Sequence, residues 1–88
     1  MAGFIINLKD GSEVIGLITH DVSFKTAHGT LKVKNDNIRA YSSSRGMLTL
    51  DNFSELRGEI QEECIVIETE YGELKVQIGD ISTICKQG

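Results

Sequence analysis

The sequence predicts an all-β fold in which two tandem antiparallel β repeats of about 42 residues form one pseudo-symmetric small barrel or sandwich. Three observations carry that prediction. Short segments alternate apolar and polar residues with a period of two, the signature of strands half-buried on one face. No stretch shows a helical period of useful length. The chain also realigns on itself at a nearly constant offset, which marks a repeated unit.

The self-alignment is specific. Ser12-Glu13-Val14-Ile15-Gly16-Leu17-Ile18 matches Ser54-Glu55-Leu56-Arg57-Gly58-Glu59-Ile60 at an offset of 42, and Ile6-x-Leu8 matches Leu48-x-Leu50. One residue is inserted in the next turn. Beyond it Val22, Phe24 and Thr26 match Ile65, Ile67 and Thr69, and Gly29-x-Leu31-Lys32-Val33 matches Gly72-x-Leu74-Lys75-Val76. Ile38 and Tyr41 then match Ile81 and Ile84. The 88 residues form a single domain, with repeat one over about 4–45 and repeat two over about 46–88.

Each repeat reads as four strands and a closing segment. The first strand is predicted at 4–9 and 46–51, the second at 13–19 and 55–61. The third falls at 22–27 and 64–70, the fourth at 30–35 and 73–78, and the closing segment at 38–41 and 81–85. Val22, Phe24, Thr26, Leu31 and Val33 share the inward face, with Ser23, Lys25, Lys32 and Lys34 outward. His28-Gly29 and Tyr71-Gly72 are read as tight hairpin turns, since glycine supplies positive φ without steric cost. That register sets Lys25 opposite Lys32. A unit of about 42 residues buries too little surface to stand alone, so the repeats must share a core, face to face or by exchanging strands.

Composition narrows the function classes. Hydrophobic residues make up 40% and charged residues 25% of the chain, a balance that builds a core and argues against disorder. With three Phe, two Tyr and no Trp, that core is made of Ile, Leu and Val. A net charge of −4 weighs against nucleic acid and anionic membrane as partners. Two cysteines, Cys64 and Cys85, make no disulfide framework, and the N-terminal residues lack a secretory pattern, so the expected location is the cytoplasm.

Residues Leu8-Lys9-Asp10-Gly11-Ser12-Glu13-Val14-Ile15-Gly16-Leu17-Ile18 resemble the opening of Sm-like small β-barrels, an apolar strand, an Asp-Gly turn and a second strand carrying glycine. Ile38-Arg39-Ala40 is similar to that family's Ile-Arg-Gly signature, with alanine in the last place; the second copy has Asp80-Ile81-Ser82 there. The resemblance implies a small barrel and an RNA-binding reading through Lys25, Lys32, Lys34 and Arg39. The RNA-contacting Asn of the family has no counterpart near Asp21-Val22-Ser23.

No enzyme is expected. His20, His28, Cys64 and Cys85 are scattered, without ligand spacing for a metal, and no cofactor motif is present. Cys64 follows Glu62 and Glu63, whereas a thiolate nucleophile is favoured by cationic neighbours. The loop Tyr41-Ser42-Ser43-Ser44-Arg45-Gly46 reads first as an inter-repeat linker. Arg39, Tyr41, Ser43 and Arg45 there are candidates for capturing a small anionic or nucleotide-like ligand through hydroxyls, amides and guanidinium groups.

Charge divides unevenly between the copies. Residues 1–45 hold six basic and four acidic side chains, residues 46–88 three and nine. Lys25, Lys32 and Lys34 mark one outer face, while Glu68, Glu70 and Glu73, with Lys75, mark its counterpart. The leading expectation is a non-enzymatic homo-oligomeric module in which the basic face of one chain meets the acidic face of another. Ligand capture ranks second and RNA binding third.

Overall fold

The computed structural model describes residues 3–87. Ten strands follow one another: β1 (Gly3–Leu8), β2 (Glu13–Ile18), β3 (Val22–Thr26), β4 (Gly29–Val33), β5 (Ile38–Ser42), β6 (Met47–Leu50), β7 (Glu55–Ile60), β8 (Cys64–Thr69), β9 (Gly72–Gln77) and β10 (Ile81–Lys86). Single 3₁₀ turns, Asn35–Asn37 and Ile78–Asp80, precede β5 and β10. Among the described residues no helix is long and apolar enough to cross a membrane.

All ten strands join one antiparallel sheet in the order β4-β3-β7-β6-β5-β10-β1-β2-β8-β9, curled into a half-barrel around a single core. The connections after β2 and β7 decide this topology. After β2 the chain does not fold back on itself; β3 pairs with β7, and β8 pairs with β2. Strands of the first and second halves of the chain therefore interleave around that core. The order is unchanged when it is read from the other end with each of β1–β5 exchanged with the strand five places later in the chain. At the centre, Tyr41 on β5 lies opposite Ile84 on β10.

The core follows from alternation corrected by two bulges. Phe24, Ile65, Ile67, Ile6, Leu48 and Ile81 have no exposed surface, and burying each such side chain contributes about 1.5–3 kcal/mol. Ile38 and Tyr41 are both buried although three residues apart, because the β5–β6 register shifts between Ile38 and Ala40 and leaves Arg39 as the extra residue. A second shift between β1 and β10 likewise leaves Ser82 extra, so that Ile81 and Ile84 both point inward.

Two glycines set how closely the exchanged strands approach. Gly58 lies opposite Thr26 on β3, and a Cβ built on it would stand 1.8 Å from the Lys25 carbonyl oxygen. A Cβ on Gly16 would stand 2.5 Å from the Glu68 carbonyl oxygen on β8. Only glycine permits these approaches.

The β3–β4 hairpin corrects the predicted turn by one residue. Thr26 pairs with Gly29, so the two-residue loop is Ala27-His28, and β8–β9 likewise turns at Glu70-Tyr71 between Thr69 and Gly72. The threonine hydroxyls cause the shift. Thr26 Oγ1 donates to the Gly29 carbonyl at 2.9 Å and accepts the His28 amide at 3.1 Å, and Thr69 makes the same two bonds at 2.7 and 3.1 Å. Gly29 and Gly72 retain positive φ, at 131° and 125°, as the first residues of their strands.

Candidate functional site

The corrected turn changes what opposes the outer charges. Lys25 faces Thr30 on β4 and Glu59 on β7, while Lys32 faces Ser23, so the expected Lys25–Lys32 opposition does not occur. The like-charge pair directly across a ladder lies in the other hairpin, where Glu68 opposes Glu73. Like charges so placed are destabilising.

The two charged groups sit at opposite ends of the sheet. Lys25 and Lys32 are carried by β3 and β4, and Lys34 follows directly after β4; β4 is one open edge. Glu68 and Glu73 are carried by β8 and β9, with Glu70 in the turn between; β9 is the other edge. All six side chains are exposed. The ends of the ten-strand order share no ladder, so this opposition of charge is not relieved by pairing within the sheet. Among the described residues the one ion pair is Lys86–Asp51 at 2.6 Å, in which Lys86 also donates to the Asp36 carbonyl. Each edge further exposes one leucine, Leu31 on β4 at 48% and Leu74 on β9 at 44%.

The four residues of the loop reading separate. Tyr41 is buried, its ring edge-to-face with Phe24 at 6.5 Å. Burial first, and the Glu59 carboxylate second, push its hydroxyl above the ordinary tyrosine pKa. Ser43 donates both its amide and its hydroxyl to the Ser82 carbonyl, at 3.0 and 3.1 Å. Arg39, displaced outward by the bulge, stacks its guanidinium 4.5 Å from the centre of the Phe53 ring. Tyr41 and Arg45 alone of the four line a common shallow cavity of about 190 Å³, and Glu55 and Cys85 line it too. A carboxylate there opposes an anion.

Sequence reading missed a matched pair of pins at the exchanged strands. His20, between β2 and β3, accepts the Val66 amide of β8 on Nε2 at 3.1 Å, with Nδ1 2.9 Å from the Asp21 carbonyl. Its counterpart Glu62, between β7 and β8, accepts the Ser23 amide of β3 at 3.0 and 3.1 Å. Their place in turns hid them, because the amides they receive belong to strands 39 and 46 residues away. Sequence reading also missed two grooves beside the hairpin tips. One, about 770 Å³, is lined by Glu13, Ile15, Glu68, Glu70 and Tyr71 among others; the other, about 550 Å³, by His28, Leu31, Glu55 and Arg57 among others. The sequence signal for the first was Ile15, an apolar residue on the outward side of β2, 52% exposed.

Among the described residues no three His, Cys, Asp or Glu side chains converge as metal ligands, and both cysteines are free. No protein-family model matches the chain, and comparison with curated proteins and with solved structures finds no match.

Proposed function

We propose that the chain is a non-enzymatic β-module that assembles with copies of itself, basic end to acidic end. The observation that carries this reading is the placement of Lys25, Lys32 and Lys34 on or beside the last two strands at one end of a ten-strand sheet, and of Glu68, Glu70 and Glu73 on or between the last two at the other. Open edges present unpaired backbone donors and acceptors, and neither edge strand contains proline to block pairing. Complementary charge speeds encounter and selects the partner edge, while backbone bonds and apolar burial supply most of the affinity. The tandem repeat read in the sequence supports the same view, since two related halves whose charges have diverged give one chain two different ends.

The anion-capture reading ranks lower, since only Tyr41 and Arg45 share a cavity and Glu55 lines it with them. Kinship with Sm-like barrels rests on residues 8–18 and 38–40, and RNA binding with it on Lys25, Lys32, Lys34 and Arg39. Sedimentation velocity tests the assembly reading. Oligomers are expected at micromolar concentration; a monomer at about 100 µM, far above the dissociation constant of a stable interface, overturns it.

A further inference from the structure

We infer that the assembly contact is an antiparallel ladder between β4 of one chain and β9 of a second copy, in the one register that sets Leu31 opposite Leu74, Lys32 opposite Glu73 and Thr30 opposite Lys75. The inference rests on the proposed self-assembly and specifies its geometry.

Backbone phase gives the first argument. Thr26 and Gly29 close a two-residue turn and therefore form a hydrogen-bonded pair. Alternation along β4 then turns the backbone groups of Leu31 and Val33 toward β3, and those of Thr30 and Lys32 outward from the edge. The same count from Thr69 and Gly72 turns Glu73 and Lys75 outward from β9. A new ladder must join outward residues to outward residues. Lys32 with Glu73, and Thr30 with Lys75, satisfy that rule.

Side chains give the second argument. Leu31 faces the same side as Phe24 and Leu74 the same side as Ile67, each with its partner directly opposite across the hairpin. Leu31 and Leu74 nonetheless stay 48% and 44% exposed, for nothing covers the last strand at either end. In the inferred register they form a non-hydrogen-bonded pair, the kind that brings side chains closest. They extend the apolar inner face from one chain into the next.

Charge selects this contact over its symmetric rivals. A β4–β4 contact centred on Leu31 would bring two sets of three lysines together with no carboxylate on either edge strand. A β9–β9 contact centred on Leu74 would set Glu73 against Lys75 but would crowd two copies of Glu68, Glu70 and Glu73. The β4–β9 ladder sets Lys32 against Glu73, with Glu68 next in the same row, and Lys75 against the neutral Thr30; continuing it by two residues brings Lys34 beside Tyr71, which is 94% exposed. Each chain gives one edge and receives the other, so the contact is heterologous and propagates as a ring or a fibre.

Cysteine cross-linking tests the register. In a Cys64→Ala, Cys85→Ala background checked for native melting, Leu31→Cys and Leu74→Cys are made in separate chains and oxidised with copper–phenanthroline. The inferred pair has Cα atoms about 4.5 Å apart, within disulfide reach. The expected result is a covalent dimer only when the two chains are mixed, and a ladder of multimers from a chain carrying both substitutions. Dimers of Leu74→Cys alone, or of Leu31→Cys alone, overturn the register in favour of a two-fold contact. No cross-link in chains that still sediment as oligomers overturns the register and leaves self-assembly standing; monomers of the unsubstituted chain overturn both. As a second readout free of cysteine, Lys32→Glu should weaken association by roughly tenfold, and mixing it with Glu73→Lys chains should restore it. Association unaffected by the reversal overturns the Lys32–Glu73 pairing.

Discussion

Replacing Gly58 with alanine should be among the most damaging single-methyl changes this chain can suffer. The added carbon would lie 1.8 Å from the Lys25 carbonyl oxygen, 2.8 Å from its carbon and 3.2 Å from the Phe24 ring. Two of these neighbours are backbone, so β3 and β7 must part by more than an ångström to reach even a 3.0 Å contact. Their ladder spans only Phe24–Ile60, Lys25–Glu59 and Thr26–Gly58. Losing two of its hydrogen bonds costs about 1–3 kcal/mol. Steric displacement of Phe24 adds about 1–3 kcal/mol, and the backbone conformation, φ 156°, is one that side chains rarely adopt. The expected loss is about 3–5 kcal/mol, a large share of the 5–15 kcal/mol typical of a folded domain. Urea unfolding followed by circular dichroism measures it, read as a fall in midpoint at constant slope. Three companions calibrate the reasoning. Gly16→Ala, with 2.5 Å to the Glu68 carbonyl, should be nearly as severe; Gly29→Ala, with open space but φ 131°, should cost about 1–2 kcal/mol; Gly79→Ala, with open space and no positive φ, should be close to neutral. A Gly58→Ala protein within 1 kcal/mol of the parent would refute the close approach of β7 to β3 and the pairing register built on it.

Phe24→Ala and Ile67→Ala, at corresponding fully buried positions, should each cost about 2–5 kcal/mol in the same assay, and a wild-type midpoint for either would contradict the inward face. Tyr41 carries a folded-state pKa raised above its unfolded value by burial and then by Glu59. Its contribution is therefore full below about pH 10 and lost as pH rises through the higher folded value, so Tyr41→Phe should unfold less readily in alkali than the parent. Arg45→Ala should shift stability by less than about 0.5 kcal/mol, as exposed substitutions usually do. If it abolishes thermal stabilisation by a nucleotide or another small anion, ligand capture displaces assembly as the leading reading.

Strand positions were legible to within a residue or two because burial alternates cleanly in β3 and β8, where Val22, Phe24, Ile65 and Ile67 are spaced by two. Features governed by a single hydrogen bond or an extra residue were not. The Thr26 hydroxyl moved the hairpin turn by one position and so changed which charges oppose one another. The bulge at Arg39 turned that side chain away from Tyr41 and toward Phe53, which dispersed a site that looked contiguous in sequence. Phe53 itself holds φ 66° in the turn between β6 and β7, as Gly11 holds 93° in the turn between β1 and β2, a conformation no alternation pattern reveals. Strand exchange had no local signature. It depends on which partner β3 meets after Asp21, and that choice is made by β7, by Gly58 and by the carboxylate of Glu62.

Exchange bears directly on how the chain folds and on why its halves differ. Each five-strand half of the sheet draws two strands from one half of the chain and three from the other, so β3-β4-β5 lie with β6 and β7, and β8-β9-β10 with β1 and β2. Residues 1–45 alone would keep β1 paired with β2 and β3 with β4, yet would lose β7 from beside β3 and β10 from beside β1. Phe24 and Ile6 would then lose cross-strand neighbours, leaving less apolar burial than a chain of that length needs. The expected outcome is that residues 1–45 are unfolded in isolation and fold only when residues 46–88 are supplied, with amide exchange protection at Ser23 and Val66 appearing together. An independently folded first half would refute exchange as the basis of the core. If the halves must fold as one, identical edges would bring no folding advantage and would limit association to like meeting like. Lys25, Thr30 and Ala27 stand where the other hairpin has Glu68, Glu73 and Glu70, so the two ends of the sheet differ in charge at exposed positions; under the proposed self-assembly, that difference gives a fold with near two-fold order a direction.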